Sequence, residues 1–238
     1  MELPILFEDE YLLILDKPPG LVVNRGVSVK VETVQDFTES KILVQESADT
    51  TSDYFIRSGI VHRIDKETSG ILVVAKTEDV FISMQGAFKE RTVKKVYCAI
   101  AHGIVVPPEG EIHAPVGRMT WNREHFGIVP GGKDAMTKYR VTGNWFLSHG
   151  EKFSFVSLYP QTGRTHQIRV HLKYIGHPIL GDYLYAGRKT ARDDRLWAKR
   201  VMLHAMEISF AHPKTGELLF VKAPIPRDMI DILKPILQ

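Results

Sequence analysis

A single cysteine, Cys98, stands among the 238 residues, so no disulfide can close within the chain. That fits a reducing compartment. Long apolar runs are also missing. YLLIL at 11–15 and GILVVA at 70–75 are far too short to cross a bilayer. The first twenty residues, MELPILFEDEYLLILDKPPG, lack the basic start and small-residue cleavage site of a secretion signal. The expected location is therefore the cytosol, with no membrane partner. Several chemistries have no motif to carry them. No GxGxxG follows a strand, no GxxxxGK[ST] loop occurs, no cysteine pair could hold zinc, and no GxSxG elbow is present. The lone cysteine falls in a strand-like run and reads as a buried, inert thiol.

What is present is ordinary for a globular protein: 44% hydrophobic and 25% charged residues, with a formal net charge of +3. The small basic excess is compatible with a nucleic-acid partner without demanding one. Positive charge concentrates in two places. KERTVKK at 89–95 carries Lys89, Arg91, Lys94 and Lys95 against Glu90. RKTARDDRLWAKR at 188–200 carries six basic residues against Asp193 and Asp194. Either could contact phosphates, though a run of charge is more often a solvated helix face.

Patterning predicts many strands and a few short helices. YLLIL (11–15) reads as a strand ending at the Asp16–Gly20 turn, and LVV (21–23) as a possible second strand. Thr33 caps a short helix over 33–42, and 45–58 reads as a polar loop. GILVVAK (70–76) is a buried strand, 78–90 a helix with Val80, Met84 and Phe88 in line, and 93–103 an alternating strand. Residues 107–110 form a turn and 117–135 a loop or hairpin. Strands follow at 137–146 and 153–161, then a helix at 164–176. Residues 202–222 read as a hairpin and the tail as a helix interrupted at Pro235. Strands and helices do not alternate regularly, and no linker or repeat divides the chain. The expected class is α+β with a mixed, largely antiparallel sheet, in one domain spanning 1–238. No heptad or long apolar stripe calls for a partner subunit, so a monomer is expected.

Three clusters could carry chemistry. In GIVHRIDKETSGILVVAK (59–76) a polar loop delivers Asp65 just before a buried strand, with Arg63 two residues away and Thr68 and Ser69 able to bond the loop backbone. A carboxylate so placed can be a nucleophile if it stays ionised, which a guanidinium favours. Taken alone, an aspartate in a loop is more often a turn former or a cap. In GRTHQIRVHLKYIGHPILG (163–181), Arg164, His166, Arg169 and His171 crowd one segment. Arg169 could hold a carboxylate in a bidentate pair, and the plain alternative is a polar helix start on the surface. The third is Tyr97, which follows Lys94 and Lys95; it could stack on a base or simply pack in the core.

These residues sit in blocks that resemble the RluA-type pseudouridine synthases of RNA: DEYLLILDKPPGLVV (9–23), GIVHRIDKETSGILVVAKT (59–77), KKVYCAIAHG (94–103), TGRTHQIRVHLKYIGHPILGD (162–182) and LHAMEISFAHPKTGE (203–217). The blocks occur in the family's order. The resemblance implies a mixed sheet with a central cleft, no metal and no organic cofactor. It implies isomerisation of uridine to pseudouridine in tRNA or rRNA. Asp65 would be the nucleophile, attacking the base or the ribose. Arg63 would fill the space left by the flipped nucleotide, Tyr97 would stack on the target base, Arg169 would pair with Asp65, and Leu203 would wall the pocket. Further RNA contacts would fall at His62, Lys94, Lys95 and Arg164.

Two departures stand out. Ile64 replaces the usual leucine of the HRxD motif, and Asn24-Arg25 stands where the family often has His-Pro. Residues 24–58 match poorly, and the S4 RNA-binding domain that many relatives carry is not expected here. A non-catalytic RNA-binding or RNA-folding protein on the same scaffold is the rival reading. A metal hydrolase using His62, His166, His171 and His177 is a third; His166 and His171 are five apart rather than the four of a helical zinc pair.

Overall fold

The computed structural model describes residues 1–26, 29–42, 50–122, 124–146 and 150–233. The chain divides into two compact units, residues 1–95 with 205–224, and residues 96–204 with 225–238. Its class is α+β, with a mostly antiparallel sheet.

In the first unit, β1 (Ile5–Glu8) pairs with β2 (Leu12–Lys17), and β2 with β3 (Ser69–Ala75). Leu12, Leu13, Ile14 and Leu15 are all essentially without exposure, and all seven residues of β3 are buried. Burial of consecutive rather than alternate residues means that both faces of these strands are covered, which is why their sequence reads as a continuous apolar run. β10 (Leu203–Ala211) lies next to β3 and forms the expected hairpin with β11 (Leu218–Lys222). The helix α3 (Glu78–Lys89) buries Val80, Phe81 and Met84.

Gly70 is essential to this arrangement. Its φ is +106°, and a Cβ there would lie 2.3 Å from the carbonyl oxygen of Ala205. No side-chain rearrangement can relieve a clash with backbone. Gly70→Ala is therefore expected to cost about 2 kcal/mol or more in a urea unfolding experiment.

The helix α1 (Val34–Lys41) has the expected cap. Thr33 accepts from the Asp36 N–H, and Asp36 accepts from the Thr33 N–H, a reciprocal capping box. Residues 21–23 are not a strand. The Val22 and Val23 carbonyls instead accept from the N–H groups of Val34 and Gln35, so this segment satisfies the open start of α1. Part of the expected loop at 45–58 is helical: α2 (Asp53–Ile56) is capped by Ser52 and buries Tyr54. Residues 45–49 of that expectation lie outside the described residues.

In the second unit β4 (Lys94–His102), from Val96 onward, pairs with β9 (Lys152–Pro160). β9 pairs with β8 (Met136–Phe146), and β8 with β5 (Glu109–His113). The expected turn at 107–110 ends early, since Glu109 and Gly110 already pair with β8. A small hairpin of β6 (Val116–Arg118) and β7 (Phe126–Ile128) occupies the Gly-rich stretch. The helices α4 (Gln167–Tyr174), α5 (Arg188–Asp194) and α6 (Arg227–Leu233) complete the unit. Pro235 lies outside the described residues. Among the described residues no helix is long and apolar enough to cross a membrane.

The 188–200 stretch is less solvated than its composition suggests. Arg200 is buried and makes a two-pronged contact with Asp228, at 2.6 and 2.8 Å. Asp194 is buried too, accepting from the Gly181 N–H and meeting His102.

Candidate active site

Asp65 sits in an irregular segment that enters β3. A tight turn follows it, closed by the Thr68 backbone N–H donating to the Asp65 carbonyl at 3.1 Å. This is a backbone bond, not the side-chain bond expected of Thr68. Asp65 is partly exposed, Arg63 is exposed, and Ile64 between them is buried, so the loop is anchored by one side chain and presents its neighbours.

Two further ties hold the loop. The Lys66 carbonyl accepts from the Gly20 N–H at 2.9 Å and from the Lys17 ammonium at 3.0 Å. Lys17 has no exposure at all, and its ammonium also donates to the carbonyls of Pro18 and Leu21. A buried ammonium is tolerated only when its donors are met, and here they join the Pro18–Gly20 turn to the Asp65 loop. Sequence reasoning missed Lys17. The available signal was a lysine closing a strand that opens with four apolar residues.

On the other side of the loop, His62 Nε2 accepts from the Val73 N–H at 3.0 Å, and the ring stacks on Phe88 at 4.7 Å. Desolvation, with the charge of Lys95 second, pushes the imidazole down to about 3. His62 is therefore neutral across the physiological range, with its hydrogen on Nδ1. Its folded pKa lies below the ordinary value of about 6.5. The unfolded chain thus binds a proton that the folded chain refuses as pH falls from about 6.5 toward 3. This contribution to stability is complete above about pH 6.5 and lost below it. His62→Gln should flatten the fall in unfolding free energy between pH 6.5 and 4 relative to wild type, read by urea titration at each pH. An equal slope in both proteins would refute the assignment.

Lys95 is partly buried, its ammonium 5.8 Å from the Phe88 ring centre, and desolvation lowers its pKa. Lys94 is exposed. Phe88 thus carries His62 and Lys95 in the first unit.

In the second unit Tyr97 lies on β4 opposite Leu158 of β9 and is partly exposed. Arg169 lies on α4, which is not a surface helix: every residue from Gln167 to Leu172 is buried. Its polar residues are used internally. Gln167 donates to Met136 and Thr137 and accepts from Thr162 and the Arg164 N–H. His171 spans Thr137 and the Ala114 carbonyl at 3.0 Å each, and burial lowers its pKa. The Arg164 guanidinium donates to the Asp134 carbonyl. Leu203 is buried at the start of β10.

Arg169 grips a carboxylate that sequence reasoning did not single out. Its Nε and one terminal nitrogen donate to the two oxygens of Asp182 at 2.8 and 2.9 Å, both side chains being nearly fully buried. The guanidinium also lies 5.0 Å from the Tyr185 ring centre. Asp182 additionally accepts from the Leu184 N–H. The fork geometry fixes the plane of the Arg169 guanidinium.

The model of the RNA pseudouridylate synthase family matches residues 11–174. The chain belongs to this family. It is an RNA pseudouridine synthase of the RluA type, and so an isomerase. Along its length it is 37% identical to the uncharacterized RNA pseudouridine synthase YlyB of Bacillus subtilis, over 98% of this chain and 73% of that protein. It is 39% identical to the ribosomal large subunit pseudouridine synthase D of Nitrosomonas europaea, over 98% of this chain and 65% of that protein. Curated relatives of this kind are longer, and the chain spans 61% to 73% of their length. The human RNA pseudouridylate synthase domain containing 4 superposes with a TM-score of 0.74 at 25% identity, covering 98% of this chain and 93% of that one.

For a pseudouridine synthase, Asp65, Tyr97 and Arg169 all fall inside the matched stretch, while Leu203 lies beyond it. The four histidines considered for a metal serve the fold instead. His62 and His171 are engaged as described, His166 Nδ1 meets the Tyr185 hydroxyl at 2.7 Å, and His177 Nδ1 meets the His102 carbonyl at 2.9 Å. Among the described residues no three or more metal-binding side chains are gathered.

Proposed function

We propose that the chain isomerises uridine to pseudouridine in structured tRNA or rRNA, with Asp65 as the nucleophile and without a cofactor. The single observation that carries this reading is the HRID loop, held by Lys17, Gly20 and His62 so that a partly exposed carboxylate stands in a fixed place. Fixed placement of a nucleophile is what such chemistry needs. The family membership supplies the substrate class.

The reaction conserves atoms. The bond from uracil N1 to ribose C1′ breaks, the uracil turns, C5 bonds to C1′, the C5 proton leaves and N1 gains one. A stacked uridine is out of reach, so the nucleotide must be flipped out, at a cost of a few kcal/mol. In this reading Arg63 fills the vacated space, Tyr97 stacks on the flipped uracil, and Leu203 walls the pocket. Arg169 pairs with Asp65, using Asp182 as its support. Lys94, Lys95 and Arg164 contribute positive charge toward the RNA backbone, and the 238 residues work as one monomeric catalytic domain in the cytosol.

The test is to incubate the purified protein with total RNA from a strain lacking the gene and map pseudouridine. New pseudouridine at defined tRNA or rRNA positions is expected. Its absence from every RNA, with folded protein, would sink the reading.

A further inference from the structure

The first unit holds a cavity of about 340 Å³ lined by Asn24, Ile56, Arg57, Ile60, His62 and Arg63, with Arg25 and Gln35 completing the wall. Its size is that of a small-ligand site. Two of its residues come from the HRID loop, Ile60 lies just before that loop, and the rest come from 24–57.

The walls are rigid. Arg25 is clipped to Asp36 and Glu39 of α1, and its backbone N–H donates to Gln35. The Val22 and Val23 carbonyls are bonded to the start of α1. Gln35 Nε2 donates to the Ile56 carbonyl. Asn24 is thus flanked on both sides by fixed backbone, yet its own partly exposed amide has no hydrogen-bond partner among the described residues.

Charge decides what the cavity suits. Arg25 is shared with two carboxylates and Arg57 with Asp53 at 3.3 Å, while Arg63 has no acidic partner among the described residues. A site for several phosphates would need more free positive charge. Apolar side chains at Ile60 and Ile56, with an amide and a guanidinium that have no partner among the described residues, suit a neutral, flat, polar-edged group with an anion beside it. A nucleobase on its sugar-phosphate has that character, and unpaired RNA bases are read through such edges.

We infer that this cavity receives an unpaired nucleobase next to the modified uridine, with the Asn24 amide reading its edge. The inference rests on the proposed function in one respect. There Arg63 takes the place of the flipped uridine, so a cavity that Arg63 also lines adjoins a neighbouring nucleotide. An amide offers a donor beside an acceptor, and a bidentate contact of that kind discriminates between bases by about 1–3 kcal/mol.

The experiment separates this inference from turnover. RNA with randomised positions around one uridine is selected for binding to the Asp65→Asn protein and sequenced, with and without Asn24→Ala. A preference of about fivefold or more at one flanking position is expected. It should flatten in Asn24→Ala, and change its favoured base in Asn24→Asp, which keeps the size but loses the donor. If Asn24→Ala does not fold, the Asn24→Asp result decides alone. A preference that survives both substitutions, or no preference in the parent, overturns the inference. Pseudouridine formation by the wild-type protein is scored separately and bears only on the function.

Discussion

Asp65→Asn is expected to lower pseudouridine formation on the order of 10⁴-fold, the scale seen when a reaction loses its nucleophile. The substitution removes the charge and keeps the shape. Asp65 takes part in the loop through its carbonyl, which accepts from Thr68, and this bond does not depend on the side chain. The ties at Lys66 and His62 are likewise untouched. RNA affinity should therefore stay close to that of the wild type. The same variant separates catalysis from pure binding. If Asp65→Asn restores every phenotype of a strain lacking the gene, the chain acts as an RNA-binding or RNA-folding protein.

The second large effect concerns Arg169 and Asp182. Asp182 is fully buried and Arg169 nearly so, and they share two hydrogen bonds. Such a pair adds little net stability compared with apolar residues, but removing one member takes from the other, still buried, its two-pronged partner. Asp182→Ala and Arg169→Ala should each cost about 3–5 kcal/mol in chemical unfolding. The double substitution should cost clearly less than the sum, because the penalty of the broken pair is then counted once. Additive costs would show that the two side chains are not coupled. In the proposed function Asp182 is a positioning residue. Asp182→Asn, which keeps one acceptor for the guanidinium, should retain more activity than Asp182→Ala at a temperature where both are folded.

Much of this fold was legible in the sequence, and the reasons are local. β2 and β3 are continuous apolar runs bounded by turns. α1 announces itself through Thr33 and Asp36, and α3 through Val80, Met84 and Phe88. The losses have physical causes too. Leu21–Val23 has strand composition, but its carbonyls are spent on the start of α1. β5, β6 and β7 are short and glycine-containing, with too few residues to show a period. α4 looks like a polar surface helix because it carries Gln167, Arg169 and His171. Each of these is buried against partners distant in sequence, which no pattern within the helix can reveal.

The candidate site divides the same way. Asp65, Tyr97 and Arg169 could be named as candidates because they sit in long ordered blocks. Lys17, at the end of β2, and Asp182, at the end of its block, did not stand out, since a charged residue is ordinarily exposed. Both are buried, and both act by holding something else: Lys17 holds the Asp65 loop, and Asp182 holds Arg169.

Pseudouridine formation replaces the hydrogen on uracil C5 by the bond to ribose, so RNA carrying tritium at C5 of its uridines reports the reaction directly. Incubated with such RNA drawn from a strain lacking the gene, the wild-type protein should release tritium to water, and Asp65→Asn should release none above background. Equal release by the two proteins, or none from folded wild type, would contradict the account.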